Sequence, residues 1–474
     1  MQKLNVVWLR NDLRLLDNAV LCSALQHAEK SAAAILVLYV ATAETWVLHD
    51  MAAIKQDLLR RRVLQLKKEL ADVGLPMLAV EGSSYQQLPQ IFSTLCQQFE
   101  LNVFVQTEYE LREQQRDEAV EQLILNSGGQ FIRFDTQCIM PPGSIRTQQG
   151  DIYKVFTPFK RTWLAQLQAN GVHCVGRPQK ITQSELQLPE FPPLQGGDGS
   201  SAGWDVAESS VLELMRSFCR EKVASYHEQR DFPAVDGTSR LSAYLAIGVV
   251  SAAQCVARLQ LEAGNSWSED KSGAGIWLSE LIWREFYKHI LVAYPQLIKH
   301  QPFQSETAGI RWQNNKQLFD AWCNGNTGYP IVDAAMRQLN QTGWMHNRLR
   351  MISASFLVKD LHIDWRWGER YFMSRLIDGD FAANNGGWQW AASTGTDAAP
   401  YFRIFNPVTQ SEKFDPQGDF IRLYVPELSK FTGKSIHWPH AAGLVNYPKP
   451  VVDHAAARKL TLELFAEVKK THAN

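Results

Sequence analysis

The chain has 474 residues, of which 45% are hydrophobic and 20% charged, and its 48 basic and 49 acidic residues give a net charge of −1. This composition is typical of a globular protein and excludes intrinsic disorder, a fibrous architecture and a uniformly basic nucleic-acid binder. The longest apolar run, residues 32–41, is too short to span a bilayer, and charge appears too early for a secretory signal. Seven cysteines without a CxxC pair favour a reducing cytoplasm over a disulfide scaffold or a zinc ribbon.

The first 135 residues alternate short apolar runs with helical patterns. The runs are rich in Val, Ile and Phe and predict five strands: Leu4–Leu9, Ala34–Val40, Pro76–Val80, Asn102–Val105 and Gln130–Phe134. The stretches between them predict four helices: Leu15–Glu29, Ile54–Val73, Tyr85–Glu100 and Glu110–Asn126. Strands separated by helices of this length form parallel βαβ units, so we predict a doubly wound α/β domain over residues 1–135. It has neither a GxGxxG motif nor a Walker A loop, so the pattern names no ligand.

Residues 136–208 are predicted to be an interdomain connection. Within them, residues 176–204 are rich in Pro, Gly and Ser and show no periodicity. After this connection helical patterns dominate: Ser209–Val223, Ser251–Ala263, Ala274–Ala293, Asn315–Cys323, Ile331–Gln341, His346–Val358, Trp365–Leu376 and His454–Lys470. We therefore predict a larger, all-α domain over residues 209–474.

Tryptophan is concentrated in this second half, where ten of the 15 lie between Trp267 and Trp390. Such a density indicates either a large helical core or a site for a flat aromatic ligand. On the helix predicted over 274–293, one face carries a mixed set of side chains: Trp277, Glu280, Trp283, Arg284 and Tyr287. The opposite face is apolar, so the mixed face is either the wall of a site or a helix packed between two layers with a satisfied ion pair.

A second polar group follows at Asn347, Arg348 and Met351, which share a helical face. An amide, a guanidinium and a thioether suit contacts to a base edge and a phosphate, but a helix start with solvated arginines is the alternative. The segment from Trp344 to Arg375 contains six basic and three acidic residues. A local surplus of this kind is enough for weak phosphate binding by a neutral protein, although a solvated helix face has the same composition.

Three shorter motifs are less specific. Asp378 and Asp380 make a weak metal signal, and an acceptor pair for a ligand amide or an ion pair with an arginine is at least as good an interpretation. The hydroxyls and the arginine of residues 238–242 can hold a phosphate or cap a helix. The Asn-Asn-Gly-Gly stretch at 384–387 allows close approach to the backbone, and helical geometry after it would separate Trp388 from Trp390 by about 200°.

Five segments together resemble the photolyase/cryptochrome family, and most of all its class I cyclobutane pyrimidine dimer branch. They are WLRNDLRLLDN (8–18), TSRLS (238–242), WLSELIWREF (277–286), TGYPIVDAAMR (327–337) and DGDFAANNGGWQW (378–390). The resemblance implies light-dependent DNA repair, in which reduced FAD excited by blue or near-ultraviolet light transfers an electron to a flipped-out dimer and splits it. It also implies that the partner is UV-damaged DNA and that the protein is a cytoplasmic bacterial monomer, associated with the nucleoid through DNA. No membrane, metal or obligate protein partner is expected.

The resemblance implies a U-shaped FAD in the helical domain and assigns a set of residues to it: Tyr226, Thr238, Ser239, Arg240, Leu241, Ser242, Trp277, Glu280, Arg284, Asn347, Arg350, Asp378, Asp380 and Asn384. Tyr226 and residues 238–242 would surround the diphosphate. Arg350 would pair with Asp378 beside the isoalloxazine, and Asn384 would lie near flavin N5.

The substrate residues that the resemblance implies are Glu280, Trp283, Asn347, Arg348, Met351 and Trp390. The two indoles would stack on the flipped pyrimidines, and the Glu and Asn side chains would bind the edges of the bases. DNA phosphates would be bound by Arg230, Arg348 and Arg403, and an electron relay would run through Trp312, Trp365 and Trp388. Repair of (6-4) photoproducts relies on a paired His where this chain has His346-Asn347 and on another His where it has Met351, and both departures favour the cyclobutane substrate.

The antenna is the least specific part of the resemblance. His49, Glu110 and Lys299 resemble a folate-antenna site, which implies methenyltetrahydrofolate, but Ile298 stands where folate-binding relatives often have Cys. A deazaflavin or no antenna are the alternatives.

Two rival functions are weighed against repair. The first is a cryptochrome-type photoreceptor without repair activity, which Asn384 and the complete set of substrate residues disfavour. The second is a flavin-binding module without DNA, which the arginine surplus disfavours.

Overall fold

A computed structural model describes residues 1–443 and 446–472 and divides the chain into two compact units. The first unit comprises residues 1–152, 159–224 and 239–293, and the second comprises residues 153–158, 225–238 and 294–474. Among the described residues no helix combines the length and the hydropathy that crossing a membrane requires.

The first unit is built on a parallel sheet whose strands are β1 (Gln2–Trp8), β2 (Ala34–Thr42), β3 (Met77–Gly82), β4 (Phe99–Gln106) and β5 (Gln130–Phe134). The strand order is β3-β2-β1-β4-β5, and β1 pairs in parallel with both β2 and β4. Val6, Leu36 and Val103 are fully buried, because helices cover a doubly wound sheet on both faces, which is why its strands read as continuous apolar runs. The five predicted strands and the α/β class are confirmed.

The helices, in chain order, are α1 (Ala19–Ser31), α2 (Ala43–Leu48), α3 (Ala53–Ala71), α4 (Leu88–Cys96), α5 (Leu111–Asn126), α6 (Phe156–Asn170), α7 (Glu208–Ser217), α8 (Tyr226–Gln229), α9 (Ser242–Ile247), α10 (Ala252–Ala263), α11 (Gly273–Ala293), α12 (Lys316–Cys323), α13 (Pro330–Thr342), α14 (Asn347–Lys359), α15 (Trp365–Met373), α16 (Phe381–Ala391), α17 (Pro407–Phe414), α18 (Asp419–Tyr424), α19 (Lys434–His437) and α20 (His454–His472). The eight helices predicted after residue 208 are all present, so the helical character of this half is confirmed.

Some boundaries differ from the prediction for identifiable reasons. Helix α1 begins four residues later than predicted, because the Asn18 side chain caps it by accepting from the Leu21 amide at 3.0 Å. The amides of Leu15 and Leu16 instead donate to the Glu208 carboxylate at 3.2 and 2.8 Å. Residues 15–18 are therefore not helical, despite their helical pattern, because their conformation is determined by tertiary hydrogen bonds.

Helix α6 lies within residues 136–208, where the sequence analysis predicts no helix. Phe159, Trp163 and Leu167 recur at a spacing of four and are buried to 1% exposure or less. Residues 171–206, by contrast, contain no helix and no strand of the sheet. The connecting stretch is thus part helix and part irregular chain.

The core of the second unit is aromatic and centred on Trp322. This fully buried indole lies 6.1 Å from the Trp388 ring and 5.9 Å from the Phe372 ring, measured between centroids. Gly368 permits this packing, since a Cβ at that position would clash with the Trp388 ring. Part of the tryptophan density therefore belongs to the core, as one of the two interpretations of the sequence requires.

Candidate functional site

Helix α11 carries the mixed face in the first unit. Leu278, Ile282 and Phe286 are fully buried, whereas Glu280 and Trp283 are half-buried. The separation into an apolar and a mixed face is therefore confirmed. Trp277 was predicted on the mixed face but is buried: its indole is 3% exposed and lies 5.0 Å from the Phe218 ring, measured between centroids.

Hydrogen bonds to other segments of the first unit fix the orientation of α11. Arg284 donates to the carbonyls of Gln137 and Leu245, both at 3.3 Å. At the next residue, the Glu285 carboxylate accepts from the Trp163 indole at 2.6 Å and from the Met140 amide at 3.2 Å. Burial raises the pKa of Glu285, and these donors oppose the rise. The mixed face thus belongs to a helix with little rotational freedom.

His289 completes this anchor. Its Nε2 lies 2.9 Å from the Met140 carbonyl, and its Nδ1 accepts from the Gly143 amide at 3.3 Å. One donor and one acceptor on the ring define a neutral imidazole. Burial accordingly lowers the pKa of His289 to about 4.

In the second unit, helix α14 begins with the predicted group of polar residues. His346 caps it, its Nδ1 accepting from the Arg348 amide at 3.2 Å. Asn347 is exposed and Met351 half-buried. The Arg348 guanidinium donates to Asp231 at 2.7 Å and lies 4.4 Å from the centre of the Phe414 ring. Arg348 is therefore held in place rather than merely solvated.

Arg350 and Asp378 form the ion pair that the resemblance implies, at 2.7 Å. Arg350 also donates through Nε to the Met345 carbonyl at 2.9 Å. The other oxygen of Asp378, Oδ1, is buried and has no hydrogen-bond partner among residues 1–443 and 446–472. Asp380 serves as the cap of α16, accepting from the Ala383 amide at 3.0 Å. In the described part of the chain no three potential metal ligands cluster.

Helix α16 runs through the Asn-Asn-Gly-Gly stretch. The Asn384 amide donates to the Glu369 carbonyl at 3.0 Å, and the Asn385 amide donates to the Glu369 carboxylate at 2.7 Å. His300 approaches the second oxygen of that carboxylate at 2.9 Å, and this hydrogen bond raises the pKa of His300. The first turn of α16 is therefore fixed by α15.

The tryptophans of the predicted relay differ in burial. Trp388 and Trp365 are 2% and 1% exposed, whereas Trp312 is half-buried and packs against the cluster of Ile310, Phe465 and Val468. Trp390 is also half-buried, so the two indoles of α16 lie in different environments, as their helical spacing predicts. The Trp388 Nε1 is buried without a hydrogen-bond partner among the residues that the structure describes.

The residues assigned to the diphosphate are divided between the units. Tyr226 and Thr238 belong to the second unit, and residues 239–242 belong to the first. Arg240 has a φ of +52°, a left-handed conformation that side chains other than Gly rarely adopt. Such strain is concentrated at functional sites in proteins.

The predicted antenna residue His49 lies in a polar network of the first unit. Its Nδ1 is 3.3 Å from the Glu113 carboxylate, which also accepts from the Tyr85 hydroxyl at 2.9 Å. Burial opposes ionisation of Glu113, but His49, Arg116 and Tyr85 together hold its pKa below the ordinary value. Sequence reasoning missed Glu113 and Tyr85, although Glu113 follows Glu110 by three residues on one helix.

The carboxyl ends of β1 and β4 carry a buried charge cluster that the sequence analysis also missed. Arg10 pairs with Asp117 at 3.2 Å, and Arg116 pairs with Glu108 at 2.6 Å. Both guanidinium groups lie near the Trp8 ring, at 4.6 and 5.0 Å from its centre. Doubly wound sheets bind ligands at the carboxyl ends of the strands where the strand order reverses, which in this sheet is between β1 and β4. Here that position is occupied by paired charges.

Comparison with known proteins defines the class. Residues 5–180 match the family model described as DNA photolyase, and residues 277–467 match the model described as the FAD binding domain of DNA photolyase. The chain belongs to the DNA photolyase family, and FAD is the cofactor of its helical domain.

Individual relatives extend over the whole chain. A Vibrio cholerae protein named deoxyribodipyrimidine photo-lyase is 51% identical over 98% of this chain and 100% of its own length. The crystal structure of a bacterial class III photolyase from Agrobacterium tumefaciens superimposes with a TM-score of 0.87 at 33% identity, covering 99% of this chain and 98% of that one. A Synechocystis cryptochrome gives a TM-score of 0.82 at 28% identity, with coverage of 98% and 99%.

The second unit fits the cofactor that this family uses. A buried carboxylate oxygen without a donor is costly, and the Oδ1 of Asp378 is such an oxygen. The imide N–H of an isoalloxazine ring would supply the missing donor. The neighbouring Arg350 pairs with the other oxygen of this carboxylate at 2.7 Å and limits its movement.

Proposed function

We propose that this protein repairs cyclobutane pyrimidine dimers in UV-damaged DNA in a light-dependent reaction. The observation that carries the proposal is the accessibility of the six substrate residues, each of which is exposed or half-buried although two are indoles: Glu280, Trp283, Asn347, Arg348, Met351 and Trp390. The relatives named deoxyribodipyrimidine photo-lyase support the same activity. When bound in its reduced form and excited by light, FAD supplies one electron to the dimer.

The protein's own groups bind and orient the lesion. In the first unit Trp283 provides a stacking surface and Glu280 an acceptor for an N–H of a base. In the second unit Trp390 provides a stacking surface and Asn347 an amide that both donates and accepts. Stacking of this kind is worth about 1–3 kcal/mol per base. A dimer already disrupts pairing and stacking, so it costs less to flip than intact bases do.

Arginines bind the DNA backbone in this proposal. Arg230, Arg348 and Arg403 contact phosphates, and Arg348 is already positioned by Asp231 and Phe414. FAD would be held by the residues assigned to it above, among them the Arg350–Asp378 pair and Asn384 for the flavin ring. The protein acts as a monomer in the bacterial cytoplasm, where it reaches the nucleoid through DNA and needs no obligate protein partner.

Two further assignments belong to the proposal. Trp388, Trp365 and Trp312 form the electron relay that re-reduces an oxidised cofactor, and the greater exposure of Trp312 than of the other two supports its place as the outer member. His49, Glu110 and Lys299 bind an antenna, for which methenyltetrahydrofolate is the first candidate. The buried Nε2 of His49, without a hydrogen-bond partner in the described residues, supports a polar ligand there.

The decisive experiment uses purified holoprotein with reduced FAD and an oligonucleotide that contains one thymine dimer. Under blue light we expect the dimer to disappear and two thymines to be restored, with no change in the dark and none in a (6-4) photoproduct. The Trp283→Ala protein should bind FAD but repair more slowly at low DNA concentration. Illuminated holoprotein that leaves the dimer intact would refute the proposal and favour a cryptochrome-type photoreceptor.

A further inference from the structure

Lys359, the last residue of α14, is buried to an extent that is unusual for lysine. Its side chain is among the largest fully buried ones, with an exposure of 1%. Lysine is almost never fully buried unless its ammonium has a partner. The ammonium of Lys359 donates to the backbone carbonyl of Arg403 at 3.0 Å. Burial lowers the pKa of Lys359 to about 8, which leaves it mainly charged at neutral pH.

The acceptor of this hydrogen bond belongs to the loop of residues 400–406. The loop forms a turn in which the Arg403 amide donates to the Pro400 carbonyl at 2.8 Å. Tyr401 stacks on Phe465 of α20, with ring centroids 5.7 Å apart. The Arg403 side chain itself is exposed. The backbone of the loop is thus held by buried groups of the second unit, while the Arg403 guanidinium is exposed on the surface.

The same end of α14 is attached to α20 by separate bonds. Asp360 pairs with His454 at 2.6 Å, and the Thr461 hydroxyl donates to the Lys359 carbonyl at 2.6 Å. These contacts hold the two helices together without the Lys359 ammonium. Burying a charged amine against a neutral carbonyl contributes little net stability, because desolvation offsets the hydrogen bond. The ammonium therefore serves mainly to hold the loop.

We propose that Lys359 is a positioning residue for DNA binding, whose ammonium holds the backbone of Arg403 so that the exposed guanidinium meets a DNA phosphate. The inference rests on the proposed function. Helix α14 then connects two parts of the DNA-binding surface, since Arg348 stands at its first turn and Lys359 at its last. At 1.5 Å per residue the helix sets them about 16 Å apart along its axis.

The test compares the Lys359→Met, Arg403→Ala and double-variant holoproteins in binding to an oligonucleotide with a thymine dimer at several salt concentrations. We expect Lys359→Met to bind several-fold more weakly, with a salt slope lower by about one, as for the loss of a phosphate contact. The double variant should bind like Arg403→Ala alone. The melting temperature of Lys359→Met should stay level or rise, and repair at saturating DNA should keep its rate.

The matched control is Thr461→Val, which removes a bond to the Lys359 carbonyl and leaves the ammonium in place. It should lower the melting temperature without changing the salt slope. Native affinity of Lys359→Met, or losses that add in the double variant, would overturn the proposal. If the methionine variant does not fold, Lys359→Gln makes the same comparison. Failure of the native holoprotein to prefer damaged DNA would instead refute the proposed function.

Discussion

Protonation of His289 should destabilise the fold, because both ring nitrogens are already committed. Nε2–H donates to the Met140 carbonyl and Nδ1 accepts from the Gly143 amide, so a second proton would face an N–H. Burial lowers the pKa from 6.5 to about 4. Between these values the unfolded chain binds more protons than the folded one. The free energy of unfolding therefore falls as the pH falls from 6.5 to 4, by about 3 kcal/mol at 1.36 kcal/mol per pH unit.

The His289→Gln protein should lack this contribution, because an amide can donate to Met140 and does not titrate. Urea unfolding of both proteins at about pH 7 and about pH 4.5 gives the difference in unfolding free energy at each pH. We expect the variant to be the less stable protein at neutral pH and to close most of that gap in acid. His173→Gln, at an exposed position, should parallel the native protein. An unchanged gap between native and His289→Gln protein in acid would refute the argument.

Three further changes test the assigned residues. Asp378→Asn breaks a largely buried ion pair with Arg350 and should cost roughly 1–3 kcal/mol, measured as a lower melting temperature and a lower ratio of flavin to protein absorbance after gel filtration. Trp312→Phe should leave repair by pre-reduced holoprotein intact and abolish most photoreduction of oxidised FAD, and a native photoreduction rate would remove this residue from the relay. Arg348→Ala should weaken binding to damaged and intact DNA alike and lower the salt slope by about one. Arg422→Ala should not, although it also removes a half-buried arginine, one that pairs with Asp419 and donates to the Phe431 carbonyl.

The fold was predictable where local pattern and burial agree. Strands β1, β2 and β4 are buried along most of their length, and α11 has one apolar side, so the hydrophobic pattern alone identifies them. Helix α6 carried the same signal at Phe159, Trp163 and Leu167, but it lies among residues whose composition suggested a connection. Its neighbours Pro158 and Lys160 weakened the pattern without interrupting the buried stripe.

Helix α16 shows what local propensity cannot predict. Asn384 and Asn385 with two following glycines are poor helix formers. Their amides bond to the backbone and the carboxylate of Glu369, and these tertiary bonds outweigh the propensity. Nothing near residue 384 in the sequence indicates that partner.

The candidate site was predictable mainly through the family resemblance, which names residues far apart in sequence. The residues that support them were not predictable. Glu285 and His289 orient α11, and Glu113 orients His49, through contacts with segments more than 60 residues away. Such partners are determined by the assembled fold.

The bond between Asn384 and Glu369 also fixes which end of that amide is the acceptor. Because one N–H of Nδ2 donates to the Glu369 carbonyl at 3.0 Å, the two ends of the amide cannot exchange, and Oδ1 is the acceptor that the side chain can offer to another molecule. A carbonyl oxygen accepts but never donates, so a partner there must arrive carrying a hydrogen. Helix α15 thereby gives this position a polarity that amide rotation cannot reverse while the bond holds.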